Sequence, residues 1–190
     1  GAAMTFEWYR NSVAAGNKLA SEPEEAGSYI LRVRAAMTND YDAAMLDLNV
    51  TIAKAAVTVT VTAQDKIYDG TVAAVVDASV TGVVSGDDVK LAKPTATFAD
   101  KNAGTGKRVI LAGGSLTGTD AANYNMNMPS EVSADISARN IAVIAEDKEK
   151  IYGDAEPVLT YTVSASTPLV AGEKLTGTLV REEGEDVKEG

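Results

Sequence analysis

Val57-Thr58-Val59-Thr60-Val61-Thr62 alternates apolar and polar residues without a break. A strand turns successive side chains to opposite faces, so period two marks a half-buried strand. Val and Thr are β-branched and sit well on a pleated surface. The run therefore predicts a strand with its valines turned to a core. Ile141-Ala142-Val143-Ile144-Ala145 opens a comparable apolar run 84 residues later (141 − 57).

The same offset recurs on both sides of that strand. Lys66-Ile67-Tyr68-Asp69-Gly70 is echoed by Lys150-Ile151-Tyr152-Gly153-Asp154, with the tyrosines 84 apart (152 − 68). Ile52 pairs with Ile136 at 84 (136 − 52), and Asn39-Asp40-Tyr41 with Ala122-Asn123-Tyr124 at 83 (124 − 41). A solenoid repeats every 20–50 residues, so a period this long reads as a string of small domains. The expected division is the back part of one module over residues 1–54, a complete module over 55–138 and the front part of a third over 139–190.

Turn chemistry punctuates these segments: Tyr68-Asp69-Gly70, Ser85-Gly86-Asp87-Asp88, Asn102-Ala103-Gly104 and Ala112-Gly113-Gly114-Ser115. Spacings of about 8–15 residues between such signals are the rhythm of a sandwich or small barrel. No stretch carries a long amphipathic helix. Single helical turns are expected at Asp120-Ala121-Ala122-Asn123 and at Asp42-Ala43-Ala44. The expected fold is all-β: tandem immunoglobulin-like β-sandwich modules, with β-grasp-like modules as the alternative. Tyr124 is expected to form a corner whose hydroxyl bonds back to the turn before it. Tyr68 and Tyr124 are both expected to be substantially buried.

Composition excludes several function classes. The 190 residues hold 17 basic and 27 acidic side chains, a net charge of −10. Nucleic-acid binding needs a basic footprint to neutralise phosphates, so no nucleic-acid partner is expected. Cys is absent, which removes disulfides and thiol nucleophiles, and His is absent, which removes the commonest general base and zinc ligand. A chain without cysteine fits a cytosolic protein and a Gram-positive-type surface repeat equally well. No apolar run approaches the ~20 residues that cross a bilayer as a helix, so no membrane insertion is expected. Gly1 reads as a residue left by tag removal, and the chain closes on the acidic run 182–190; both predict a piece of a longer protein.

The residues also carry a family resemblance. Lys66-Ile67-Tyr68-Asp69-Gly70-Thr71, Val83-Val84-Ser85-Gly86-Asp87-Asp88-Val89, Phe98-Ala99-Asp100-Lys101-Asn102-Ala103-Gly104 and Leu116-Thr117-Gly118-Thr119-Asp120-Ala121-Ala122-Asn123-Tyr124 resemble the YDG domain of bacterial surface proteins and adhesins. Lys150-Ile151-Tyr152-Gly153-Asp154-Ala155-Glu156-Pro157 and Leu159-Thr160-Tyr161-Thr162-Val163 resemble the start of an MBG domain. The resemblance implies a large, repetitive, extracellular protein on a bacterial cell surface or cell wall. It implies a non-enzymatic stalk or adhesion module that spaces or presents a binding region, and it supplies no catalytic residues. The alternative is a module that binds a carbohydrate or protein ligand. Expected partners are neighbouring modules of the same chain, and beyond them a host or cell-wall protein or glycan. No catalytic residue, cofactor or metal is expected, and no ligand-binding residue is assigned.

Each candidate site has a plainer structural reading. Asp87, Asp88 and Asp100 supply oxygens of the kind Ca²⁺ takes, but match no EF-hand spacing, and Gly-Asp-Asp is ordinary turn chemistry. Trp8 and Tyr9 could stack on sugar rings, yet a Trp alternating with Phe6 is more often core. The tyrosine turns at 68 and 152 recur with the repeat, which favours a structural role over a ligand site. Lys66, Lys101 and Lys107, with Asp100 and Asn102, hold the reactants of an intramolecular amide bond. That bond needs a desolvated lysine, and each of these lies beside turn residues where solvent is expected, so none is expected to form. The links Ala53-Lys54-Ala55-Ala56 and Ser137-Ala138-Arg139-Asn140 are too short to act as free coils.

Overall fold

The computed structural model describes residues 3–181, so Gly1 and the acidic run 182–190 lie outside the described residues. The first sheet is an antiparallel meander of β1 (Met4–Arg10), β2 (Gly27–Ala35) and β3 (Ala44–Ile52). After Ile52 only Ala53 and Lys54 intervene before β4 (Ala55–Ala63). There follow β5 (Lys66–Ile67), β6 (Val76–Thr81), β7 (Lys90–Ala92), β8 (Thr95–Phe98), β9 (Gly104–Ala112), β10 (Ser115–Thr117), β11 (Tyr124–Asn127) and β12 (Glu131–Ser137). Beyond them β13 (Val143–Ala145) pairs antiparallel with β14 (Tyr161–Val163).

Strands β4–β12 make a sandwich. One sheet has the order β11-β4-β6 and the other β5-β12-β9-β8, with β7 and β10 as a separate antiparallel pair. Val57, Val59 and Val61 of β4 turn inward and are buried, while Thr58, Thr60 and Thr62 face out. Val59 and Val61 meet Phe98, Val109, Leu111, Ala134 and Ile136 of the opposite sheet in one core. Each buried valine or leucine contributes about 1.5–3 kcal/mol over its exposed state. A bulge between Ala134 and Ile136 interrupts the β12–β9 register. Aspartates clamp it: the Asp135 amide donates to Asp65 at 2.7 Å and the Asp135 carboxylate accepts from the Gly106 amide at 2.7 Å.

The all-β, sandwich-like expectation is met, and among the described residues the only helical segments are single 3₁₀ turns at Ala15–Asn17 and Ala121–Asn123. At finer detail the sheets depart from the all-antiparallel immunoglobulin pattern, because β11 runs parallel to β4 and β5 parallel to β12. The turn expected at Asp42-Ala43-Ala44 does not form. Ala44 instead opens β3, where its pairing with Ala35 outweighs local helix preference.

Candidate functional site at the module joint

Tyr68-Asp69-Gly70 forms a turn beside the joint between the sandwich and the segment that follows it. Asp69 organises it. Its carboxylate accepts from the Thr71 amide and the Lys66 amine, each at 2.8 Å. The Lys66 contact first, then the Thr71 amide, lower the Asp69 pKa to about 2. Gly70 takes φ +79°, a left-handed conformation that side chains resist. The Tyr68 amide donates to the Ser137 carbonyl at 2.9 Å, tying the turn to the end of β12.

From the next segment the turn 170–173 reaches this place. The Glu173 amide donates to the Val170 carbonyl at 3.0 Å, and Gly172 has φ +85°. Glu173 accepts a hydrogen bond from the Tyr68 hydroxyl and another from the Lys101 amine at 3.0 Å. The Lys101 amine also lies 5.7 Å from the centre of the Tyr68 ring. The Tyr68 contact, then Lys101, hold the Glu173 carboxyl below its ordinary pKa; Tyr68 first and Glu173 second raise that of Lys101. A Cβ added at Gly70 would stand 2.6 Å from Val170 Cγ1, so the glycine also clears room for the arriving turn. Arg139 donates to the Pro168 carbonyl at 3.0 Å and the Ala142 amide to Thr167 Oγ1 at 2.9 Å. These contacts frame an open cleft of about 320 Å³ lined by Tyr68, Asn102, Arg139, Ile141, Val170 and Glu173.

A related turn lies inside the sandwich. In the turn 84–87 the Asp87 amide donates to Val84 at 3.2 Å, Gly86 has φ +105°, and Asp87 accepts from the Tyr124 hydroxyl at 2.5 Å. Val84-Ser85-Gly86-Asp87 and Val170-Ala171-Gly172-Glu173 share one pattern, 86 residues apart (173 − 87). Each turn presents its acidic residue to a tyrosine hydroxyl. That spacing was the signal for Glu173, and it lies two residues off the main repeat. Tyr124 is 4% exposed, as expected. Its hydroxyl, however, accepts from Val84 at 3.0 Å and donates to Asp87, and does not bond back to the turn before it. Tyr68 is only half-buried, because its hydroxyl leaves its own core for Glu173. On the other side, the Ala26 amide donates to Asn123 Oδ1 at 2.9 Å, linking the first sheet to the Tyr124 corner.

The remaining candidates are dispersed. Asp87 serves Tyr124, Asp88 pairs with Lys90 at 2.7 Å and Asp100 with Lys107 at 2.5 Å. Among the described residues no group of three acidic, His or Cys side chains could hold a metal ion. Trp8 and Tyr9 point to opposite faces of β1 and present no common stacking surface. Tyr9 is buried and its hydroxyl donates to Glu7 at 3.1 Å. The solvent expected around the lysines is absent at two of them: the side chains of Lys66 and Lys107 are each only 17% exposed. Both sequences run along strands, so each lysine stem lies over the sheet, and Lys66 stands 5.4 Å from the Phe98 ring centre. Tyr152, the repeat partner of Tyr68, is 73% exposed. Among the described residues no helix is long and apolar enough to cross a membrane.

Comparison with protein families matches residues 52–134 to the YDG domain and residues 141–190 to the MBG domain of the YGX type. No curated protein and no solved structure matches the chain. Neither domain type is known as an enzyme family, and both are typical of surface proteins. The joint built by Tyr68, Gly70 and Glu173 is thus the meeting of two such domains, and the chain is a YDG domain followed by an MBG domain, with a three-stranded sheet before them.

Proposed function

We propose that this chain is a non-enzymatic spacer of a bacterial surface protein, displayed outside the cell, in which modules at 1–54, 55–138 and 139–190 follow one another through short, braced joints. The observation that carries this reading is the use made of the Tyr-Asp-Gly turn. Its tyrosine and glycine make contact with the next domain, and Asp69 holds the turn in shape. A spacer needs joints that resist bending, and a two-residue link between β3 and β4 cannot act as a flexible coil.

Glycan-array screening of the 190-residue chain separates this reading from a carbohydrate-binding one. The spacer reading expects no glycan retained above background; saturable retention of one glycan class would replace it with a binding module.

A further inference from the structure

Tension along the chain enters the sandwich at Ala55 and leaves it at Ser137, because β4 follows β3 after two residues and the chain runs on from β12. The relative direction of these first and last strands decides how the domain meets a load. β4 pairs antiparallel with β6, and the chain just before β6 pairs antiparallel with β8 through Ala73 and Thr97. β8 and β12 each run antiparallel to β9. β12 therefore runs in the same direction as β4. The two remaining pairings agree, since β11 is parallel to β4 and β5 is parallel to β12.

The opening stretch β4–β5 and the closing stretch β11–β12 thus lie side by side. Asn127 faces Thr58 and Ile136 faces Lys66, so partners stay 69 and then 70 apart in sequence (127 − 58, 136 − 66). Asp65, between β4 and β5, accepts from the Asp135 amide at 2.7 Å, and the Tyr68 amide donates to the Ser137 carbonyl at 2.9 Å. Neither β4 nor β12 is an edge strand: β4 lies between β11 and β6, and β12 between β5 and β9. Val57, Val59 and Val61 of β4 and Ala134 and Ile136 of β12 are buried. Neither strand can slide without dragging these side chains through a close-packed core. Pulling Ala55 backward and Ser137 forward slides parallel strands past one another. Their hydrogen bonds lie across that motion and must fail together. Had β12 run against β4, both ends would leave on one side and the bonds would open one at a time.

We propose that the sandwich carries tension along the chain, with the pairings of β4 with β11 and of β5 with β12 as a clamp loaded in shear. The proposal rests on the spacer reading for the source of the load; the clamp itself is a property of the fold. One backbone hydrogen bond contributes little net stability, so the strength comes from loading several at once. Forced unfolding follows the unfolding rate, so two pulling directions differ even at one equilibrium stability.

Single-molecule pulling of the 190-residue chain in two directions tests it. The chain has no cysteine, so paired substitutions set the points of attachment. Lys54→Cys with Ala138→Cys pulls along the strands. Lys54→Cys with Ala122→Cys pulls apart the starts of β4 and β11, where Ala55 faces Tyr124, and opens that pair from its end. All three positions are exposed. Only events that release the whole length of chain between the attachment points are read, so each begins from a folded sandwich. At one loading rate the first direction should need an unfolding force several-fold above the second. A force along the strands no higher than the force that peels them apart overturns the clamp. That result leaves the spacer reading standing, since glycan retention is what would replace it.

Discussion

The Tyr68 hydroxyl donates to the Glu173 carboxylate across 105 residues of chain, tying the YDG turn to the MBG domain. Lys101 completes the contact from a third place in the sequence. Tyr68→Phe and Glu173→Gln should each loosen the joint and leave the sandwich folded. Amide hydrogen exchange in the turn 170–173 should rise several-fold in both variants, with exchange in β4 and β9 unchanged. Acid should do the same to wild type. Glu173 has a lowered pKa, so its contribution is complete above the ordinary carboxylate value of 4.5 and disappears as pH falls through the lowered one. Joint exchange that holds steady on further acidification below that value would show that the carboxylate does not hold the joint.

Gly70 and Gly153 allow two effects to be separated. Both have positive φ, +79° and +87°, but only Gly70 faces a neighbour within clash distance, while Gly153 has nothing within 4 Å of an added Cβ. Gly153→Ala should cost the left-handed strain alone, about 1–2 kcal/mol. Gly70→Ala should cost more, since Val170 must also move. Gly70→Ala combined with Val170→Ala should recover the excess and leave the strain. Thermal melts that rank the two glycine variants equally would contradict the clearance role.

Tyr124 ties the turn 84–87 to the start of β11. Tyr124→Phe leaves the Val84 amide without its acceptor and Asp87 without its donor, and should lower the melting temperature by roughly 4–8 °C. The Asp87 contact first, then burial, raise the tyrosine pKa above its ordinary value of 10. A raised pKa stabilises the fold below the ordinary value, and that stability is lost as pH climbs through the raised one. The wild-type advantage over Tyr124→Phe should therefore shrink in strong alkali. An advantage independent of pH up to the alkaline limit would argue against the Asp87 bond.

The enclosure of Lys66 and Lys107 does not make either a partner in an amide bond. Each amine ends on an aspartate, Asp69 and Asp100, and both aspartates have lowered pKa values, chiefly through those same lysines. An ionised carboxylate is a poor electrophile, and an amine held in an ion pair is a poor nucleophile. Intact-mass spectrometry should return the sequence mass; a deficit of one ammonia or one water would show the bond.

Much of the sandwich was legible because its signals are local. The Val-Thr alternation sets both the strand and its inner face, and Tyr124 announces itself beside a turn. The 84-residue repeat likewise exposed the kinship of the Tyr68 and Tyr152 turns. Partners were harder to read, because a hydrogen bond between distant segments leaves no periodic trace. Glu173 escaped notice since its turn sits at an offset of 86 with a glutamate in place of aspartate. Gly70 reads as a turn glycine, but its clearance for Val170 depends on a neighbour 100 residues away (170 − 70). The lysines misled for the opposite reason: nearness to turns in sequence says little about which sheet face a long stem will cover.

Small-angle scattering of the 190-residue chain, extrapolated to zero concentration so that only single copies are seen, tests the spacer reading most directly. A compact globule of this length has a radius of gyration of about 16 Å. Modules in succession with braced joints should give a value well above that, and a distance distribution with a long tail that Tyr68→Phe and Glu173→Gln broaden. A radius near 16 Å with a symmetric distribution would contradict the account.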